Sequence, residues 1–410
     1  MEERILITDG QERSMLAVGR SLRGAGYAVS AAAHGHPAAA HWSRSCSERF
    51  AVPDPLHEPD RFVDSLDEIL STGGYSVLIP GSDASLIAIS HARERLERGA
   101  RLGLPSHAVI ERCLGKLALA EEAAKAGLSS PRTTICSGLE EARTAARSLG
   151  FPVVVKPMKT VFESHQSAHQ QSSEVARDEE ALTRMLERFG DPCLIQECAR
   201  GQVYSCAGVS TPDRGFLGFA TSRYLRTWPA EGGNVAFSET VDAPPRLRER
   251  VEALIESVGW HGMFELELVR REDGTFSAID LNPRAYGSLT LADRAGAPLP
   301  AIWCQWLLGG RPASATARPG VWYRWEDADA RNFIWQLRRG RVKAALAVLR
   351  PRRRVVHAYF RVLDPLPFMA RLVYMGRRGL SRLGRRRHDP VSIPAHPSKS
   401  NQPLEPRIPV

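Results

Sequence analysis

The stretch Met263-Phe-Glu265-Leu-Glu267-Leu-Val269-Arg270, the turn Arg271-Glu-Asp273-Gly274 and the return Thr275-Phe-Ser-Ala-Ile-Asp280-Leu-Asn282-Pro-Arg284 decide how the rest of the chain is read. Two apolar runs of strand length flank an Asp-Gly turn signal, so 263–270 and 275–281 are expected to form a hairpin. Side chains alternate faces along a strand, which puts Glu265, Glu267 and Val269 on one face. Asp280 and Asn282 share one face of the return strand, and Arg284 follows. If the hairpin closes at Asp273-Gly274, Glu267 lies close to Asp280 and Asn282. Two carboxylates and an amide oxygen are hard ligands of the kind magnesium takes, together with nucleotide phosphates. Solvent-facing side chains of an ordinary hairpin would fit the same residues.

Upstream, Phe151-Pro-Val-Val-Val-Lys156-Pro157 reads as a β-branched strand ending in a lysine. Cys193-Leu-Ile-Gln-Glu197 reads as a second strand, running into Ala-Arg-Gly201. Lys156 is either the point where a buried strand emerges into water or a point charge for a phosphate. Gln196 and Glu197 would meet an adenine edge or ribose hydroxyls, or simply cap the strand. Residues 158–178 are polar, rich in Ser, Gln and His and without hydrophobic period, which predicts a mobile loop. Further strands are expected over 204–210 and 216–221, and helices over 114–126 and 245–258.

The chain opens with a short apolar strand, 4–8, then the polar turn Asp9-Gly10-Gln11-Glu12 and a helix over 14–25 stopped by Gly26. A strand over 27–33, a helix over 60–71 and a strand over 76–80 follow. This order implies a parallel sheet with right-handed crossovers. The turn Gly81-Ser-Asp83 falls at the carboxyl end of a strand, where open α/β sheets bind ligands. There is no G-x-G-x-x-G, so no dinucleotide is assigned.

A length of 410 residues allows two or three domains, and 43% hydrophobic with 25% charged residues is ordinary for a globular chain. No apolar stretch reaches eighteen residues, and the first is three residues long, so neither a spanning helix nor a signal peptide is expected. Seven scattered cysteines without Cys-x-x-Cys argue against a disulfide framework or a zinc site and suit a reducing cytoplasm. The net charge of +9 is unevenly placed: 311–387 holds 20 Lys/Arg against 4 Asp/Glu, a local +16 that leaves the remainder near −7. Segments 327–349 and 366–384 have helical spacing with arginines on one side. They could pack on the core, lie on an anionic membrane or bind nucleic acid. Their aromatics sit at helical spacing, which disfavours base stacking. Residues 388–410, rich in Pro, Ser and His, are expected to be disordered.

The order Lys116, Pro-Val-Val-Val-Lys156-Pro, Ile-Gln-Glu197-x-x-x-Gly201, Glu267 and Asp280-Leu-Asn282-Pro-Arg284 resembles the ATP-grasp superfamily, in particular the carbamoyl-phosphate-synthetase-like carboxylate–amine ligases. The resemblance runs from residue 4 to about 310. It includes Thr8-Asp9-Gly10, Pro80-Gly-Ser-Asp83 and Trp228-Pro with Gly232-Gly233. Its most specific piece is Asn282-Pro-Arg-Ala-Tyr-Gly-Ser-Leu-Thr-Leu-Ala292. It implies a fold of α/β and α+β class: an N-terminal parallel α/β pre-ATP-grasp domain over 1–110, then a two-lobed ATP-grasp domain over 111–310 with a small lid lobe at about 125–198. A basic helical extension over 311–387 and the tail 388–410 complete the chain.

The resemblance also implies roles. Lys116 and Lys156 would contact ATP phosphates, Gln196, Glu197 and Cys198 would hold adenine, and Glu197 or Gln202 ribose. Glu267, Asp280 and Asn282 would ligate magnesium between the β- and γ-phosphates, and Arg284 would stabilise the transferring phosphoryl group. Arg223 and Arg226, just before the loop with Gly233, would clamp an acidic substrate, since guanidinium matches carboxylate bidentately. The implied reaction is phosphorylation of a carboxylate by ATP followed by attack of an amine, in a cytoplasmic protein, with a homodimer and attachment to the inner membrane surface through 311–387 as further expectations. Nucleic acid is disfavoured. Two departures stand out: no glycine occurs between Lys156 and Gly190, where relatives cover the phosphates with glycine amides, and Asp280 stands where Glu is usual. They leave an alternative, an ATP-binding regulatory or scaffold protein of weak turnover with a membrane-binding tail.

Overall fold

The computed structural model describes residues 2–35, 38–157, 173–189, 192–230 and 232–386. Of the run 158–178, expected to be a mobile loop, residues 158–172 lie outside the described residues, as does the tail 388–410 expected to be disordered; the remainder of the run holds a strand, Glu174–Ala176. The chain divides into two compact units, 1–371 and 372–410. The second is described over 372–386, as part of the helix Leu366–Arg386.

Within the first unit, four parallel strands form a sheet in the order Cys46–Ala51, Ala28–Ala33, Arg4–Ile7, Val77–Ile79. Ile5, Leu6 and Ile7 are buried without alternation, as expected where helices cover both faces of a parallel sheet. The helix Arg13–Gly24 buries Met15, Leu16, Val18 and Leu22, and Pro59–Gly73 buries Phe62, Val63, Leu66 and Leu70, both at helical spacing. The helix expected over 114–126 is Lys116–Lys125, divided at the extended Gly115 from a preceding helix, His107–Leu114. That break puts Lys116 at a helix start.

The largest sheet runs in the order Phe276–Asn282, Gly262–Arg270, Gln202–Thr211, Gly215–Trp228, Asn234–Thr240, Trp322–Arg324, Val355–His357. All these neighbours are antiparallel except the last pair. Phe264, Leu266 and Leu268 pack with Phe216, Phe219 and Leu254 in a core that continues to Leu6 and Leu78 of the parallel sheet. The segment after residue 310 is thus more than a helical extension, because it contributes three short strands to this sheet, Ala315–Thr316 beside Gly215–Trp228 and the two at its edge. Three-residue strands are too short to show a period, and Gly340, at φ +68°, splits the helical run into Glu326–Arg338 and Val342–Leu349.

The same segment is pinned to the parallel-sheet region. Asp364 accepts from Arg20 Nε at 2.9 Å, Ser43 Oγ at 2.6 Å and the Arg44 amide at 3.0 Å, with both ion-pair side chains less than a tenth exposed.

A third, antiparallel sheet has the order Thr133–Cys136, Cys193–Glu197, Val153–Pro157, Glu174–Ala176, and Leu139–Leu149 and Glu179–Phe189 are its helices. Its small core holds Val153, Val155, Ile195, Ala142, Ala146 and Leu182. Gly201 joins it to the central sheet at φ +145°, and a Cβ there would stand 2.0 Å from the Arg270 carbonyl oxygen. Gly201→Ala is therefore expected to destabilise the protein by about 1–3 kcal/mol. A denaturation midpoint equal to the parent's would show that the strand can move aside.

Candidate active site

The hairpin Gly262–Arg270 with Phe276–Asn282 pairs Glu265 with Asn282 and Glu267 with Asp280. The register then shifts, so that Leu268 faces Ala278 and Ile279 is an extra residue on the return strand. Such a bulge leaves a backbone group outside the ladder. Lys156 Nζ uses it, donating to the Ile279 carbonyl at 3.0 Å from the end of its own strand.

Around the pair of carboxylates the polar groups interlock. Ser205 Oγ donates to Glu265 Oε1 at 2.7 Å, and the Tyr224 hydroxyl lies 3.1 Å from Glu265 Oε1 and 2.9 Å from Glu267 Oε1. Asn282 Nδ2 donates to Glu265 Oε2 at 3.3 Å, and Asn282 Oδ1 accepts from Arg284 Nη2 at 3.3 Å. Arg284 Nε in turn donates to the buried Asp83 at 2.5 Å, and Lys116 pairs with Asp280. Six of the expected residues, Lys116, Lys156, Glu267, Asp280, Asn282 and Arg284, therefore meet in one charged cluster.

Burial, then the charges of Glu265 and Asp280, push the Glu267 carboxyl up to about 8. Burial also raises Glu265. Burial would raise Asp280 too, yet Lys116 and Lys156 outweigh it and hold this carboxyl below its ordinary value. Lys156 is pulled down to about 8 by burial, against the attraction of Asp280. A carboxylate so crowded by like charge is a place where an added cation would be stabilised. Among the described residues, no group of three His, Cys, Asp or Glu side chains could hold a metal. Two carboxylates and an amide oxygen do fit a magnesium ion that takes its other ligands from water and phosphate.

The remaining expected residues fall elsewhere. Gln196 Nε2 donates to Thr133 Oγ1 at 2.8 Å, and Glu197 accepts from Arg271 Nη1 at 3.1 Å and the Arg132 amide at 3.2 Å. With the half-buried Cys198 and with Gln202, which faces Arg270 in the ladder, they line the join between the third sheet and the central one. Arg226 grips Asp329 with both arms of its fork, at 2.9 and 2.7 Å, and lies over the Phe237 ring. Arg223 pairs with Glu239. Both arginines expected as a carboxylate clamp thus face carboxylates of the chain itself, and the sequence offers no sign that Asp329 sits opposite Arg226. Gly233 makes a tight turn in which a Cβ would stand 2.4 Å from the Trp228 carbonyl oxygen. Sequence reasoning did not assign roles to Asp83, Ser205, Tyr224 or Glu265. Asp83 carried a signal, as part of a turn at a strand's carboxyl end, and so did Glu265, on the strand face it shares with Glu267.

No family model matches the chain. The carbamoyl phosphate synthase large chain of Clostridium beijerinckii is 24% identical over 195 residues, 45% of this chain and 18% of that protein. The N-terminal section of the same protein from Methanopyrus kandleri is 27% identical over 194 residues, 43% of this chain and 32% of that one. The chain therefore spans less than a third of the length of these curated relatives. Among solved structures, the L-amino acid ligase of Bacillus licheniformis superposes with a TM-score of 0.59 at 14% identity, over 78% of each chain. The carboxyaminoimidazole ribonucleotide synthase of Aspergillus clavatus, complexed with ATP, gives 0.59 at 16% identity over 78% of this chain and 80% of that one. The biotin carboxylase of Campylobacter jejuni, also an ATP complex, gives 0.60 at 13% over 78% and 74%.

The chain has an ATP-grasp fold. One further ATP-grasp neighbour, the biotin carboxylase domain of the Hydrogenobacter thermophilus 2-oxoglutarate carboxylase, was solved with MgADP and bicarbonate, at a TM-score of 0.57 and 17% identity over 78% of this chain and 73% of that one.

Proposed function

We propose that this protein is a magnesium- and ATP-dependent ligase that activates a carboxylate as an acyl phosphate and couples it to an amine. The observation that carries this reading is the meeting of Lys116, Lys156 and Arg284 with Glu267, Asp280 and Asn282 in one cluster. Phosphoryl transfer asks for positioning and charge neutralisation more than for covalent help. Glu267, Asp280 and Asn282 would hold magnesium, which when bound would neutralise phosphate charge. Lys116 and Lys156 supply compact positive charge to phosphate oxygens, and Asp280 and the Ile279 carbonyl fix where their ammonium groups stand. Arg284, held by Asp83 and Asn282, stabilises the phosphoryl group in flight. Gln196, Glu197, Cys198 and Gln202 would receive adenine and ribose along the join of the two sheets.

In this mechanism a substrate carboxylate oxygen attacks the γ-phosphorus, the bond to the β-bridging oxygen breaks and ADP leaves. The amine nitrogen then attacks the acyl carbon, phosphate departs, and the nitrogen loses a proton to solvent. The curated relatives and the neighbours solved with ATP or MgADP support the reading. No helix among the described residues is long and apolar enough to cross a membrane.

The test supplies purified protein with ATP, Mg²⁺ and a panel of carboxylates and amines, and follows ADP and phosphate. Release of both that depends on a carboxylate–amine pair is the expected result. Mg²⁺-dependent ATP binding without turnover across the panel would instead favour a regulatory ATP-binding protein, the reading that the absence of glycine between Lys156 and Gly190 favours.

A further inference from the structure

Between Asp329 and Asp364 the chain carries ten arginines and lysines and no aspartate or glutamate. The helices Glu326–Arg338 and Val342–Leu349 in this stretch nevertheless turn large aliphatic side chains to the outside. Ile334, Leu337, Val342, Leu346 and Leu349 are 42–59% exposed. Ile334 and Leu337 are three residues apart, and Val342, Leu346 and Leu349 follow at i, i+4 and i+7, so each set forms a stripe on its helix. The second helix is firmly seated. Ala345 and Val348 are buried beneath it, and Arg324 Nη2 donates to the Val348 carbonyl at 3.1 Å. Lys343 and Arg350 lie beside the stripe in the helical projection, and both are exposed. Trp335, half-buried, has the Arg339 guanidinium 4.1 Å from its ring centre.

A basic face kept only for solubility has no use for five exposed aliphatic residues arranged in stripes on two helices. Nucleic acid would engage the arginines through phosphate but would leave the stripes in water. An anionic lipid surface takes both, since aliphatic side chains enter the boundary between headgroups and acyl chains while guanidinium groups meet lipid phosphates. An indole beside arginines suits the same boundary. We propose that this helix pair docks the protein on an anionic membrane surface. The proposal does not rest on the ligase reading, because none of these residues belongs to the charged cluster.

Two strands of the central sheet flank this helix pair, so deletion of the segment would destroy the fold, and point variants of the full chain are the instrument. The parent, L346E/L349E and R350E/R352E/R353E are sedimented with phosphatidylglycerol-containing vesicles and with pure phosphatidylcholine vesicles, and circular dichroism melts confirm that each is folded. The parent is expected to bind the anionic vesicles and to leave the neutral ones. Both variants are expected to bind about tenfold or more weakly, as is the parent in high salt. Unchanged binding in either variant, equal binding to neutral vesicles, or no vesicle binding at all would overturn the proposal. In the last case, dissociation of a dimer by L346E/L349E would identify a second copy as the occupant, and a gel shift lost in R350E/R352E/R353E would identify nucleic acid.

Discussion

Asp280→Asn is expected to lower ATP turnover on the order of 10³-fold, because it removes the charge that faces both Lys116 and the neighbouring Glu267. An amide of the same shape neither ligates magnesium strongly nor anchors the Lys116 ammonium. Glu267→Ala is expected to do the same to turnover by a different route. Burial and the charges of Glu265 and Asp280 already push the Glu267 carboxyl up to about 8, so this side chain is held in place at a cost to the fold. Its removal is thus expected to leave the melting temperature within a few degrees of the parent's, whereas activity falls. Steady-state ADP release beside a thermal melt separates the two quantities. Turnover at the parental rate in either variant would show that these residues do not form the metal site.

Asp364→Ala is expected to cost about 3 kcal/mol, the low end of the range for breaking a buried ion pair. The variant strands the buried Arg20 guanidinium and leaves Ser43 Oγ and the Arg44 amide without their acceptor. The effect has a defined pH dependence. Burial would raise the Asp364 carboxyl, but Ser43, Arg44 and Arg20 together outweigh it and hold it below the ordinary aspartate value. A folded-state value below the unfolded one contributes stability that is present above the unfolded value and is lost as pH falls through the folded one. The difference between parent and variant should therefore be flat from about pH 5 to 8 and shrink below about pH 4, close to the ordinary value of about 3.9. Urea midpoints measured across that range test this. A difference of the same size at low pH would show that the carboxylate charge is not its source.

The hairpin was legible because its two strands are long, flank an Asp-Gly turn and carry Glu265 and Glu267 two residues apart, like Asp280 and Asn282. The bulge at Ile279 was not, since no local residue marks where a register slips. The contact of Arg284 with Asp83 spans 201 residues and that of Arg226 with Asp329 spans 103, so only the folded chain could reveal them. From sequence, Arg284 was expected at the transferring phosphoryl group and Arg226 at an acidic substrate. The fold ties Arg284 to Asn282 at the edge of the carboxylate cluster and turns Arg226 toward Asp329. Short strands such as Glu174–Ala176 and Trp322–Arg324 escaped because three residues cannot display a period. Cys46–Ala51 escaped for another reason: most of its side chains are polar and partly exposed, so it has the composition of a loop.

The order of strands in the central sheet has a bearing on how the protein is born. Asn234–Thr240 receives its outer neighbour, Trp322–Arg324, from residues made some eighty positions later. At ribosomal speeds of about 5–20 residues per second, that interval lasts on the order of 10 s. Throughout it, a nascent chain carries an unpaired edge with Val235, Ala236 and Phe237, all buried in the finished protein. Edges of this kind recruit stray strands. The segment from residue 322 onward therefore acts as a late-arriving cover, and premature termination between 240 and 322 is expected to yield aggregates instead of a smaller, working protein.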